Sequence, residues 1–137
     1  MQITIKIIAV FMMLNGIFFM SNIYVLGDHE AAIAMHDDLS PEAGPVMVQA
    51  KVLNCFVVGI LYLLSGIGLL RANSHLASLG ALGCLVFLAL YGVELIMWGD
   101  THTRVWIDFS IFGGVSFIFG MVSFLYWKGI FLQSKAN

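Results

Sequence analysis

Glu94 and Asp108 are the residues of this chain best placed to do chemistry, because each stands at the edge of a long apolar stretch. Arg104 precedes Asp108 by one helical turn, so the two share a helix face. Tyr91 and Trp98 flank Glu94 at i−3 and i+4, Lys51 and Asn54 open another apolar stretch, and Asn22 closes the first. If these stretches lie side by side, Glu94, Asp108, Arg104, Lys51, Asn54 and Tyr91 gather in one layer. Ionisable groups inside apolar segments are rare and are functional candidates by default. A carboxylate poised between burial and a neighbouring cation can carry a proton. Such a layer suits a proton- or cation-coupled transporter or channel. It has a plainer use as well: Glu94 and Asp108 lie only about 5–7 Å from their helix ends, where ion pairs with Lys51 and Arg104 would simply fix three helices.

A second constellation is His29 and His36, seven residues apart, with His102 expected on the same side of the membrane. Three imidazoles beside carboxylates could hold zinc or copper, and a divalent metal is the one cofactor that the sequence raises. The competing reading is a solvated acidic loop, since no H-E-x-x-H motif and no cysteine accompany the histidines. Cys55 and Cys84 fall at different depths, so two free, buried thiols are expected rather than a disulfide. No histidine lies within a span to activate a serine or ligate haem. Glycine loops that cradle phosphate are absent, and six scattered basic residues make no nucleic-acid patch. Enzyme activity is therefore not expected.

The elements that must position these residues are four apolar stretches, Ile7–Gly27, Val52–Leu70, Ala72–Val93 and Phe109–Trp127, in 137 residues. About 20 such residues cross the ~30 Å hydrocarbon core of a bilayer. The chain is 61% hydrophobic and only 10% charged, with a mean hydropathy of +0.97, whereas soluble domains carry about 25% charged residues. These values predict an all-α, integral membrane four-helix bundle, a single domain over 1–137. Its spans should run at about 5–27, 45–70, 75–99 and 104–127, in up-down order. Residues 28–44 form an extracytoplasmic loop. Within it, 31–36 reads as a short helix on the membrane or a lid over the Glu94 cluster. The first span continues uncharged to Gly27 without an A-x-A site, so it reads as a retained helix rather than a cleaved signal. Lys6, Arg71, Lys128 and Lys135 share one side and Lys51 and Arg104 the other, which puts both termini in the cytoplasm of a cell inner or plasma membrane.

Helices in lipid associate through close backbone contact and hydrogen bonds rather than apolar burial. Gly113, Ser116, Gly120 and Ser123 form a small-residue stripe on one face of the last span, which packs either within the bundle or on another protomer. Asn15 and Tyr62 fall at similar depth, about 12 Å from the inner edge, and are expected to form an interhelical polar pair. The four-span outline is similar to that of DoxX-type proteins and quinone-linked accessory subunits, a likeness of size and span number that carries no motif and implies no activity. Abundant packing features and little chemistry favour a non-catalytic subunit or self-associating component of a membrane complex. Its partners would be the lipid bilayer and a homo-oligomer or larger membrane complex, with no nucleic acid. A transporter centred on Glu94 and Asp108, and an extracytoplasmic metal-binding or sensing protein, are the alternatives.

Overall fold

The computed structural model describes residues 3–130; Lys135, one of the four basic residues used to orient the chain, lies outside them. Among the described residues, four helical spans are long and apolar enough to cross a membrane. The first is α1 (Ile3–Met20), which tightens into a 3-10 turn at Ser21–Val25. Next comes the short α2 (His29–Met35), then α3 (Pro45–Leu70) and α4 (Ser74–Trp98). The fourth span, Arg104–Trp127, comprises α5 (Arg104–Asp108), a π-helical turn at Phe109–Gly113 and α6 (Gly114–Trp127).

Local chemistry accounts for the boundaries. The Asp28 side chain caps α2 by accepting from Ala31 N at 3.0 Å, and Asn73 caps α4 through Leu76 N at 3.1 Å. Pro45 opens α3, where its missing N–H leaves no bond unmade. The α3–α4 link is a Schellman turn, with Asn73 N donating to Gly68 O at 2.8 Å and Ala72 N to Leu69 O at 3.4 Å. Its left-handed residue is Ala72, at φ 54°.

The spans pack in the order α1, α3, α4, fourth span. At the α1–α3 crossing Gly16 and Gly59 meet backbone to backbone: a Cβ on either would lie 2.7 Å from the other's carbonyl oxygen. Ser65 joins three spans, donating to Ala77 O at 2.6 Å and lying 3.1 Å from Ser123 Oγ. Gly113, Ser116, Gly120 and Ser123 are buried, and Gly120 lies directly against Cys84. The stripe is thus occupied by α4 of the same chain. Cys55 and Cys84 are free and buried.

The expected Asn15–Tyr62 pair does not form. Asn15 donates to its own helix at Phe11 O, 3.0 Å away, and lies in the groove between α1 and α6. Tyr62 makes no hydrogen bond to it and packs edge-on to Phe119 at 5.3 Å between centroids. Depth brought the two residues level, but the helix face, which depth does not fix, kept them apart.

Candidate functional site

The chemistry gathers where residues 28–44 fold back over the helix ends. Ala32, Leu39, Ala43, Val48 and Val52 form a small apolar core, joined by Val25, Ile33 and Trp98. This core seats α2 and the following loop on α3 as a lid. Gln49 ties down the other side, accepting from Gly27 N at 2.9 Å. Gly27 itself sits at φ +84°, a conformation that a side chain would strain.

Beneath the lid Lys51 is 1% exposed, and its Nζ lies 2.5 Å from Asp38 Oδ2 and 2.9 Å from Glu94 Oε1. The ammonium also sits 3.7 Å from the centroid of the Tyr91 ring, a cation–π contact that strengthens as water is excluded. Tyr91 continues an aromatic column through Phe87, at 4.8 Å, to Phe19, 5.5 Å further on. Packing along that column holds the site's floor in place. Glu94 is fully buried and makes an ion pair with Lys51, yet neither of its oxygens has a well-aligned hydrogen bond.

Asp108 forms the opposite wall. Arg104 Nε lies 3.1 Å from Asp108 Oδ1 across one helical turn, and its Nη2 lies 3.7 Å from Asp37 Oδ2. Asp108 is 5% exposed, whereas the Arg104 side chain is 48% exposed. Asp108 immediately precedes the π turn; such turns recur at functional sites. Between the walls lies a cavity of about 170 Å³, bordered by Asn22, Asp38, Lys51, Tyr91, Arg104 and Asp108. Asn22 is buried, and its Oδ1 has no hydrogen-bond partner among the described residues. Asp37, Asp38, Glu94 and Asp108 set four carboxylates against the two cations Lys51 and Arg104.

Two lid residues titrate unusually. Burial and the nearby Lys51 charge push His36 down to about 4. Burial alone would raise Asp38, but contact with the Glu94 carboxyl and the Lys51 charge outweigh it and hold Asp38 below the usual carboxylate range.

Of the residues singled out in sequence, Glu94, Lys51, Tyr91, Asp108 and Arg104 converge here. Asn54 does not join them: it faces α4 and donates to Val86 O at 3.2 Å. His36 borders the cavity, while His102 hydrogen-bonds the Asp37 carbonyl oxygen at 2.7 Å. His29, His36 and His102 do not form a ligand set, and among the described residues no three His, Cys, Asp or Glu side chains could hold a metal together. Asp38 is the partner that sequence reasoning missed. Its one signal was Lys51 itself, since a buried ammonium demands a carboxylate and the neighbouring loop is rich in them.

No protein-family model, curated protein or solved structure matches this chain.

Proposed function

We propose that this small multi-pass membrane protein handles a cation, a proton or an ammonium, at the carboxylate-rich cavity beneath its lid. The carrying observation is the unpartnered Asn22 Oδ1 and the Asp108 carboxylate bordering one cavity in a cluster with more buried acid than base. A buried acceptor without a partner costs about 1–3 kcal/mol, which an incoming donor recovers. Asp108 is the exchangeable carboxylate, because its partner Arg104 is half exposed and can swing into solvent. Lys51, Asp38 and Glu94 form the fixed part that holds the lid. The basic residues favour cytoplasmic termini, so the cavity faces outward. The self-association reading loses its main support, because the small-residue stripe is occupied within the chain.

Reconstitution into liposomes carrying an internal pH dye tests the proposal. An imposed pH or methylammonium gradient should dissipate faster than in empty vesicles, and Asp108→Asn should remove most of the difference. Flux equal to empty vesicles, or flux untouched by Asp108→Asn and Glu94→Gln, would overturn it.

A further inference from the structure

The route into the cavity is written in the packing order. α1 and its 3-10 turn approach neither α5 nor the π turn among the described residues, and α1 meets α6 only sparingly. The bundle is therefore open along the seam between its first and fourth spans, and the cavity lies at the lid end of that seam. A second, largely apolar groove of about 280 Å³ continues down the same seam, past Phe11, Asn15, Val115 and Phe119. Phe112 borders both spaces and makes them neighbours. The lid, pinned by Asp38 and Lys51, borders the cavity through Met35, His36, Asp37 and Asp38. From Ile8 to Asn22 the seam follows 14 residues, a reach of about 21 Å.

We infer that the site takes a bilayer amphiphile with a primary ammonium head, the head lying in the cavity between Asn22 and Asp108 and the hydrocarbon chain in the groove between α1 and α6. This rests on the cation reading above and names its ligand. The head donates, because both atoms it meets are acceptors: Asn22 Oδ1 has no hydrogen-bond partner among the described residues, and Asp108 Oδ1 holds only the exchangeable Arg104 Nε at 3.1 Å. A cationic head suits a cluster with more carboxyl groups than cations. It must carry a chain, because the open side of the cavity faces lipid: Phe18, Phe11 and Ile111 along the seam are each 57% exposed. Lipid and groove are equally apolar, so the chain contributes orientation and access rather than attraction.

The test uses the full chain in phosphatidylcholine nanodiscs and radiolabelled dodecylamine, with empty nanodiscs subtracted. Saturable binding is expected. Unlabelled dodecylamine should compete at least roughly tenfold better than dodecyltrimethylammonium, which has the same charge and chain but no N–H donor. Asp108→Asn and Asn22→Leu should weaken binding by a similar factor. Val115→Trp fills the groove from a lipid-facing position and should weaken dodecylamine while leaving ethylammonium competition unchanged. If ethylammonium competes as well as dodecylamine and Val115→Trp changes nothing, the amphiphile is wrong and the cation reading stands. If no amine binds, both fail. Equal competition by the trimethylated compound overturns the donor assignment, and that comparison uses only the unaltered protein.

Discussion

Replacing Lys51 by methionine keeps the side chain's length and removes its charge, and the structure sets a large cost on that change. Among the described residues the ammonium is the one cation in contact with both Asp38 and Glu94, which are 3% and 0% exposed. Its loss leaves two buried carboxyls facing each other without a counterion. Breaking a buried pair from one side costs about 3–5 kcal/mol, chiefly because the remaining charge is stranded. Methionine also exchanges the cation–π contact with Tyr91, worth up to about 2 kcal/mol when desolvated, for ordinary van der Waals packing. Neutralising the acids at the same time should recover most of the loss, since a well-packed neutral core replaces the stranded charges. Lys51→Met alone should therefore unfold at markedly lower SDS mole fraction and expose residues 36–43 to hydrogen exchange. Lys51→Met with Asp38→Asn and Glu94→Gln should return close to the parent in both measurements. A single substitution costing under about 1 kcal/mol, or a triple variant whose cost is the sum of its parts, would refute the view that these groups act as one network.

Three further outcomes follow from local geometry. Gly59→Ala should destabilise by about 1–3 kcal/mol, because its Cβ meets backbone that cannot give way, whereas Gly92→Ala, with open space around it, should be neutral or gain slightly from helix propensity; SDS titration compares them. Ala72→Gly should raise stability by up to about 1 kcal/mol, relief of the left-handed alanine being partly offset by glycine's unfolded freedom; a fall in the unfolding midpoint would contradict the Schellman assignment. His36 is lowered from 6.5 to about 4 by burial and the Lys51 charge, against weaker opposing effects from Asp38 and Asp37. Its neutral form is the one the lid accepts, so its contribution is complete above pH 6.5 and is lost as pH falls toward 4, by at most ~3 kcal/mol. Hydrogen exchange at the lid should rise across that window, and His36→Gln should flatten the dependence.

The spans were legible because a bilayer imposes length and apolarity, and those are properties of a stretch rather than of a contact. Glu94 and Asp108 were legible for the same reason, as charges where the medium disfavours them. What a stretch does not encode is azimuth. Asn15 and Tyr62 matched in depth and turned to different neighbours, and Asn54 stands one turn from Lys51 yet serves a backbone carbonyl on α4. Asp38 was hidden for another reason: it lies in a loop, where an acid normally needs no explanation. It became part of the site only when Leu39 and Ala43 docked on α3 and carried it inward. The open seam was hidden as well, because four apolar helices of similar length read alike whether or not the first closes on the fourth.

The two cations of the cluster differ in how firmly they are held, and that difference separates anchor from exchange site. Lys51 is enclosed, with carboxylates on α4 and in the lid, so moving it would strand charge in a dry environment. Arg104 is half exposed and reaches Asp108 from the same helix and Asp37 from an exposed stretch of loop. The guanidinium is therefore solvated by water as it leaves, and an incoming cation replaces it at the buried Asp108 carboxylate. An arriving ammonium competes with Arg104 for the same oxygen, and removing the competitor should favour the ligand. Arg104→Gln is therefore expected to tighten amine binding, while Lys51→Met should abolish it by disordering the lid. If Arg104→Gln instead weakened binding as much as Asp108→Asn does, the arginine would be contacting the ligand, and the head group would have to carry an acceptor that the proposed ammonium lacks.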